Sequence, residues 1–542
     1  MRTAILLFTS VFISGILFGQ DSVRKREVSV TSTFKPVLKE AAKINFNATP
    51  PTADTSRPRL QYNIPNQGLV LGYLPGTLKP MALSVDTGGN WDNWNYAKVG
   101  YGSLNTPYFE TGLSLGNGNT AGLNIYGKHI SSKGKIEHQD YSNTAVELNG
   151  FLKAGKNIEL FGRVIGKENK YNKYGYEPKP MELPEDSLKV NFQSFSTRVG
   201  FRNIDRGQYG ISYAPELQVD VFNDRLNNRE TNAYFNLPLR KTLGGHFEAD
   251  VAFEGNVNRY SPKGKNNIKS NYFSIAPSLL VKSENIFLQA GIRPSWDNSE
   301  FKLLPNILVE ANSTDKSITI MGGWVGYLRS NSYQSFANFN PYIWAPEFVN
   351  NSRIQEIYGG IKGALTDHFS YSAKLGYNTI TNQPLYRNDT ITGRNFEVLN
   401  KDKIKAFNFT GEIGYNVGEQ FSLRSALKLN RYLDLDEFGK AWGLLPMEFT
   451  TSLRLQVIKD LYVKGDFLAL GGAPYQTKSD EGKTKGAMDV SAGLEFQVVK
   501  NVKLWAQFNN IFNREYERWK QYPVYGFNFL GGVVFSFAKP NK

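Results

Sequence analysis

Residues 369–378 read FSYSAKLGYN, and residues 407–417 read FNFTGEIGYNV. Apolar and polar side chains alternate in both stretches, so that Phe369 and Leu375 share one face while Ser370 lies on the other. This period of two is typical of β-strands with one apolar and one polar face. The runs approach or exceed the ~9–11 residues of a tilted transmembrane strand, whereas strands of soluble proteins average about 5–6 residues. The pattern therefore favours a membrane β-barrel over a soluble sandwich.

The same alternation recurs at 146–152, 247–253, 453–457, 488–496 and 527–537. Ionisable side chains recur on the polar face, and we expect these to line the lumen: Lys153, Arg163, Arg293, Lys374, Arg424, Lys428, Arg454, Lys464, Lys503, Glu147, Glu159, Glu248, Asp250, Glu254, Glu412, Asp466, Asp489 and Glu495. Charges are costly in a dry core but suit a wet lumen. Because the two signs are nearly balanced, we predict a hydrated, salt-bridged wall.

Composition excludes several classes of protein. The 542 residues include no Cys, which excludes disulfide scaffolds, thiolate metal sites and Cys nucleophiles. The only histidines, His129, His138, His246 and His368, lack the spacing of zinc ligands. A lipase-like role for His129 lacks a carboxylate partner nearby in the sequence, which favours a surface histidine. We therefore predict a protein that is not an enzyme and that has no metal site, no cofactor and no nucleic-acid partner.

Residues 1–20 carry one positive charge at Arg2, followed by an apolar run, which is typical of a secretory signal peptide cleaved after Gln20. Residues 21–90 are rich in Pro, Thr, Asn and Lys and alternate little, so we interpret them as an extended periplasmic or lumenal arm. The barrel is predicted to span 91–537, and 538–542 form a short C-terminal tail. The formal net charge is +14, or +13 without Arg2 of the signal peptide, and this excess must lie in the arm, turns and loops.

Short turn signals punctuate the alternating runs, and we interpret them as periplasmic turns. They lie at 117–118, 155–157, 206–207, 243–244, 284–285, 314–315, 366–368, 418–420, 459–460 and 500–501. Longer polar segments alternate with them, at 171–188, 331–352, 381–402, 434–445 and 471–483. Short turns on one rim and long loops on the other are expected of an outer-membrane barrel. Ten turns predict an all-β, antiparallel transmembrane barrel of about 22 strands, or 20 if Phe301–Asn312, which contains Pro305, is not a strand.

Aromatic residues cluster near the predicted strand ends. In a membrane barrel such residues belong to the interfacial girdles, although Tyr, Phe and Trp favour any sheet. The candidates are Tyr171, Tyr174, Tyr176, Tyr260, Trp296, Tyr432 and Trp442.

The C-terminus carries a family resemblance. Residues 501–516 read NVKLWAQFNNIFNREY, and 522–528 read YPVYGFN. This resembles the last hairpin of TonB-dependent receptor barrels, in which an Asn-φ-φ-Asn-x-x-Tyr motif precedes a loop and a final strand. Gly532, Phe535 and Phe537 are similar to the terminal signal that the barrel-assembly machinery recognises. In the arm, Glu27, Val28, Ser29, Val30 and Thr31 resemble a TonB box.

Active transporters of that family carry a plug of over a hundred residues before the barrel, whereas only about 70 residues separate Gln20 from the first candidate strand at Trp91. The chain therefore resembles the plug-less, TonB-receptor-like barrels of the Bacteroidota. The resemblance implies an outer-membrane channel or transport protein, with lipid, lipopolysaccharide, the assembly machinery and TonB or another envelope protein as partners. The alternative is a structural or assembly subunit of a complex for secretion or barrel biogenesis. The arm, inward-folded loops or a partner protein could fill the lumen.

Overall fold

The computed structural model describes residues 94–175, 183–315, 317–418, 420–435 and 439–538. These residues belong to one compact unit. The predicted signal peptide, the arm with its TonB-box-like segment, Tyr176 and residues 539–542 of the tail lie outside the described residues.

Strands account for most of the described chain. Their bounds are β1 (Trp94–Gly102), β2 (Thr106–Gly116), β3 (Ala121–Ser132), β4 (Tyr141–Ala154), β5 (Ile158–Asn172), β6 (Lys189–Asn203), β7 (Ile211–Tyr213), β8 (Glu216–Asp224), β9 (Arg229–Gly244), β10 (Phe247–Ser261), β11 (Ile268–Lys282), β12 (Ile286–Asp297), β13 (Glu300–Asn312), β14 (Ile318–Arg329), β15 (Ser352–Ala364), β16 (Phe369–Thr381), β17 (Gln383–Asn388), β18 (Phe396–Lys401), β19 (Ile404–Val417), β20 (Phe421–Leu433), β21 (Met447–Ile458), β22 (Leu461–Leu470), β23 (Pro474–Gln476), β24 (Glu481–Lys483), β25 (Ala487–Val499), β26 (Val502–Asn509), β27 (Glu517–Trp519), β28 (Tyr522–Pro523) and β29 (Asn528–Ala538). Two short helices, Glu185–Leu188 and Tyr333–Phe339, lie in loops; we call the second the loop helix. Among the described residues, no helix is both long enough and apolar enough to cross a membrane.

The strands form a closed antiparallel barrel of 22 strands, as predicted. β7 and β8 both pair with β9 and form one strand that is interrupted at Pro215, whose nitrogen cannot donate a hydrogen bond. The pairs β17–β18, β23–β24 and β27–β28 are separate hairpins within loops. The barrel closes where β1 pairs with β29, from Trp94 opposite Ala538 to Gly102 opposite Leu530.

The strand that contains Pro305 exists, so the count of 22 is correct and the count of 20 is wrong. β13 pairs with β12 along its whole length, and Pro305 lies opposite Ile292. Its pairing with β14 begins only at Asn306, directly after the proline. Each strand in a barrel can form hydrogen bonds with two neighbours. The first half of β13 therefore stays in the sheet through its pairing with β12 alone.

The ten predicted turns join consecutive strands at one end of the barrel, which we call the short-turn rim. Leu243 and Gly244 are a slight exception, since they end β9 and the turn follows them. Trp94, where β1 begins, pairs with Ala538, where β29 ends, and both residues lie at this rim too. The longer segments all lie at the opposite end, the long-loop rim.

The two faces of the wall differ as the alternation predicts. Leu375 on the outer face of β16 is 57% exposed, and Phe407 and Ile413 on β19 are about half exposed. On the inner face ion pairs join neighbouring strands, link β12 to β10 across β11, and link the turn after β6 to β10. They include Arg163–Glu147 (2.7 Å), Arg206–Glu248 (2.6 Å), Arg240–Asp250 (2.9 Å), Arg293–Glu254 (3.2 Å) and Lys464–Glu495 (2.7 Å). The prediction of a salt-bridged wall is confirmed.

The closing seam between β1 and β29 is covered on the inside by Trp505 of β26. Its indole nitrogen donates to the Val99 carbonyl oxygen at 3.2 Å, across the intervening strand. The indole can cross β29 in this way only if no side chain of β29 lies beneath its ring. The residue of β29 at this point is Gly532, which lies opposite both Trp505 and Gly100. A Cβ on Gly532 would lie 2.0 Å from the Val99 oxygen, and one on Gly100 would lie 2.3 Å from the Trp505 ring.

We expect Gly532→Ala to destabilise the barrel, because the added methyl group overpacks the seam at a cost of about 1–3 kcal/mol. Gly531 is the matched control, since a Cβ there meets its nearest atom at an ordinary 3.5 Å. Thermal unfolding in detergent should show a lower midpoint for Gly532→Ala and an unchanged midpoint for Gly531→Ala. Equal midpoints for the two variants would contradict the close packing at the seam.

Candidate functional site

The loops of the long-loop rim pack on one another around an aromatic core. We call the described parts of five loops (173–188, 330–351, 382–403, 434–446 and 510–527) the loop cap. Four core residues come from the ends of strands and the others from the loops: Val190, Phe192, Phe222, Tyr260, Tyr174, Tyr333, Phe336, Ala337, Ile343, Val349, Tyr386, Phe396, Trp519 and Tyr522. Aromatic side chains bury large areas and pair with specific geometry, so such a core holds loops in defined positions.

The loop helix joins the cap to a distant part of the wall. Its N-terminus is closed locally by Ser332, whose hydroxyl accepts the amide of Ser335 at 2.9 Å. The Glu230 carboxylate of β9 accepts the amides of Tyr333 (2.6 Å) and Gln334 (3.2 Å). A carboxylate satisfies the free amides of a helix start and interacts favourably with the helix dipole. The loop that follows β14 is thereby fixed to β9, on the far side of β10–β13.

Loops from nearly opposite sides of the barrel meet in the cap. Tyr174 follows β5, the fifth strand of the ring, whereas Phe396 lies in the loop after β16, the fifteenth of the 22 strands. Tyr522, from the loop before β29, contacts both rings, with centroids 5.0 Å from Tyr174 and 6.2 Å from Phe396. Tyr342 stacks on Tyr522 at 3.6 Å. Since half of the ring separates these loops, their contacts span the mouth of the barrel.

The cap also encloses cations. Burial lowers the pKa of Arg518 to about 10, and its guanidinium lies 4.1 Å from the Trp519 ring and donates to the Gly443 carbonyl oxygen at 3.0 Å. Burial lowers the pKa of Lys173 to about 8, with a further contribution from Arg394. A desolvated cation is costly unless it is paired. These positions therefore mark the places where the cap can interact with an anion.

The family-like motif of the last hairpin has a structural role in the cap. Asn510 and Asn513 adopt left-handed φ values of 46° and 50°, which asparagine tolerates better than most residues. The Asn510 amide group donates to the carbonyl oxygens of Arg514 and Tyr525, both at 2.8 Å. The Asn513 side chain accepts the amide of Phe527 at 2.8 Å. The two asparagines thus shape the start of the loop and bring its end back to β29.

The structure places the other predicted residues as follows. Gly532 lies at the inner face of the seam, whereas Phe535 and Phe537 lie on the outer face and are about half exposed. His129 contacts the Thr144 hydroxyl at 2.8 Å across β3 and β4. Within the described residues, no group of three or more His, Asp or Glu side chains could hold a metal ion.

The assignment of aromatic residues to interfacial girdles is partly wrong. Trp296 packs against Phe273 and Phe301, which are exposed on the outer wall, as expected for a girdle. Tyr174, Tyr260 and Trp442 are instead buried in the cap, and Tyr171 and Tyr432 pack against its cores. Strand-end aromatics have two apolar environments available, lipid outside and packed loops inside, and the sequence pattern does not distinguish them.

Sequence reasoning missed the residues that tie the cap together. Glu230 and Tyr333 are separated by 103 residues, and Lys173 and Asn395 by 222 residues. The alternation of apolar and polar residues predicts strands, but it does not predict which residues of separate loops come into contact. The one feature of the sequence that pointed to the cap is the large number of aromatic residues in the long loops.

Comparison with known proteins gives structural matches only. No protein-family model matches the sequence, and no curated protein matches it. The siderophore receptor PirA from Acinetobacter baumannii has a TM-score of 0.61 and 11% identity over 82% of this chain and 80% of that chain. The FrpB iron transporter from Neisseria meningitidis (F3-3 variant) has a TM-score of 0.61 and 11% identity over 83% and 81% of the two chains. The copper transporter OprC has a TM-score of 0.57 and 13% identity over 85% and 82%. The chain therefore shares the barrel fold of these receptors and transporters.

Proposed function

We propose that this chain is an outer-membrane barrel of the transport type, similar to the barrels of TonB-dependent receptors, whose mouth is closed by its own loop cap. One observation carries the proposal: loops from opposite sides of a closed 22-strand barrel share a single aromatic core. We infer that such a core closes the mouth of the barrel. Passage of a solute would then require the cap to move.

The outer surface supports placement in a membrane. Soluble monomers rarely expose contiguous apolar patches above a few hundred Å². Here exposed Leu, Val, Ile and Phe side chains recur on strand after strand, as at Val146, Leu217, Leu375 and Leu504. Together with the predicted signal peptide at 1–20, this surface supports the outer membrane as the location that we propose. The short turns would face the periplasm and the long loops the exterior.

The loop cap bears on the proposal that the barrel lacks a plug. The arm at 21–90 is shorter than a complete plug and lies outside the described residues. Of the three fillers that the sequence leaves open, inward-packed loops are the one that the contacts of the cap favour. We propose a plug-less barrel that uses these loops as its closure.

The partners proposed from sequence fit this arrangement. The outer wall would contact lipid and lipopolysaccharide, and the last strand with Gly532, Phe535 and Phe537 would be recognised by the assembly machinery. The segment Glu27–Thr31 would contact TonB. The alternative, an assembly or secretion subunit, would be favoured by a stoichiometric protein partner that co-purifies in mild detergent.

Single cysteines test the location and the orientation, because the natural chain has none. Ile391, in a long loop, is 74% exposed, and Tyr209, in a short turn, is 71% exposed. A membrane-impermeant maleimide should label Ile391→Cys on intact cells, and it should label Tyr209→Cys only after the envelope is opened. Labelling of Tyr209→Cys alone on intact cells, or recovery of the protein in a soluble fraction, would refute the proposal.

A further inference from the structure

Two cations, Lys173 and Arg394, lie close together in the loop cap. The Lys173 ammonium group donates to the Asn395 side-chain oxygen and lies 5.3 Å from the centroid of the Trp344 ring. The Arg394 guanidinium donates to the Ser187 hydroxyl at 3.4 Å. The positive charge of Arg394 contributes to the lowered pKa of Lys173. Two loops of the cap therefore bring two like charges together, and a third loop contributes Trp344.

Neither cation has a partner carboxylate in the part of the chain that the structure describes. Among the described residues, no Asp or Glu forms an ion pair with Lys173 or Arg394 within 4.0 Å. The two carboxylates that raise the pKa of Lys173 are engaged elsewhere. Asp389 accepts the amides of its own turn, including that of Asn395 at 2.8 Å. Asp224 accepts the Tyr333 hydroxyl at 2.8 Å.

Further hydrogen-bond donors surround the pair and are not used. Among the described residues, the Arg394 Nε, the Asn395 Nδ2 and the Gln521 Nε2 are buried donors without a hydrogen-bond partner, and the Gln521 Oε1 is a buried acceptor without one. A Cβ on Gly393 would lie 1.8 Å from the Gln521 Oε1, which places Gln521 directly beside this turn. Buried polar groups are nearly always satisfied in native proteins, and an unsatisfied group often indicates a bound water or ion. Several donors and two positive charges without a countercharge indicate an anion.

The site has an accessible apolar side. Trp344 is 46% exposed, although its ring lies beside the Lys173 ammonium. An exposed indole provides a flat surface on which another ring can stack. The ligand would thus have an anionic group at Lys173 and Arg394 and a ring against Trp344.

We propose that Lys173, Arg394 and Trp344 form a binding site for a small organic anion, with a phosphate or carboxylate group on a ring. A hydrogen bond to a charged group is stronger than one between neutral groups. The guanidinium group of Arg presents its donors in a plane that matches the oxygen atoms of a phosphate or a carboxylate. The bound anion supplies the missing countercharge. This site goes beyond the proposed function, because equilibrium binding to it requires no transport.

The full mature chain in neutral detergent is titrated with phenyl phosphate by calorimetry. We expect saturable binding that weakens about tenfold or more in Lys173→Met and in Arg394→Met, because each removes a charged hydrogen-bond donor. Trp344→Ala should weaken the binding of phenyl phosphate by about twofold to tenfold and leave that of inorganic phosphate unchanged. Lys440→Met is the matched control, since Lys440 lies 5.9 Å from the Trp442 ring but is already paired with Glu481 at 2.7 Å.

A pH series separates charge from structure. Because burial and Arg394 lower the pKa of Lys173 to about 8, affinity should fall as the pH rises through this value. Asp224 and Asp389 act in the opposite direction on the same pKa, and with Arg394 they are the charged groups of the described residues that contribute to its shift. Lys173→Arg should bind phenyl phosphate and lose the pH dependence, since Arg stays charged.

The source of the anion is tested in nanodiscs with and without lipopolysaccharide. If phenyl phosphate binds and lipopolysaccharide competes with it, the natural ligand of the site is a lipid phosphate. If phenyl phosphate binds and lipopolysaccharide does not compete, the natural ligand is a free solute. Absence of saturable binding, or equal weakening by Lys440→Met and Lys173→Met, would overturn the proposal. The thermal unfolding midpoint of each variant shows whether the cap is still folded.

Discussion

Replacing the hairpin Gln383–Lys401 with a tight turn is expected to convert a silent barrel into a conducting pore in a planar lipid bilayer. This hairpin contributes Tyr386 and Phe396 to the aromatic core, and its turn holds Lys173. Without it, the loops that follow β5 and β14 lose their contacts with Asn395 and Tyr386, respectively. The wild-type protein should show no steady current, and the shortened protein should show discrete conductance steps.

A matched control removes Lys478 and Ser479 from the tip of the β23–β24 hairpin. That hairpin lies at the same rim but contributes no residue to the shared aromatic core. We expect this variant to remain silent. A steady wild-type current, or a silent barrel after loss of the 383–401 hairpin, would show that the cap does not close the mouth.

Leu375→Arg is expected to destabilise the barrel in lipid by about 2–4 kcal/mol, which is the cost of an arginine on the lipid face near the middle of a bilayer. Leu375 is 57% exposed, and it lies between Gly359 and Phe409 of the neighbouring strands. Guanidinium unfolding in phosphatidylcholine vesicles, followed by tryptophan fluorescence, measures the change.

Leu375→Met is the control for this substitution, because it keeps the volume and the apolar character of the side chain. Its unfolding midpoint should stay close to that of the wild type. If Leu375→Arg were as stable as Leu375→Met, the outer face of β16 would not be in contact with hydrocarbon.

The sequence was sufficient for the barrel because each strand carries its own signal. Alternation in β16 and β19 follows from the geometry of one strand and needs no knowledge of its neighbours. The turns are equally local, and they place consecutive strands side by side. Pro305 was misleading because a proline weakens one pairing only, while β12 supports the other edge of β13.

The loop cap was beyond the sequence because its contacts are remote along the chain. Glu230 has the pattern of a polar residue at the start of β9, and only the folded chain brings it to the amides of the loop helix. Tyr260 has the pattern of a girdle residue, yet it is fully buried against the loops. Lys173 and Arg394 look like ordinary loop charges in the sequence, and only the distances in the folded chain show that no described carboxylate pairs with them.

The most direct test of the account is a scan of single cysteines along β16, each carrying a fluorescent probe, in vesicles of brominated lipid. Bromine quenches probes that contact the hydrocarbon. Probes at 371, 373, 375 and 377 should be quenched, whereas those at 372, 374, 376 and 378 should remain bright. Uniform quenching, or none at any position, would contradict a sheet that separates lipid from an enclosed polar interior.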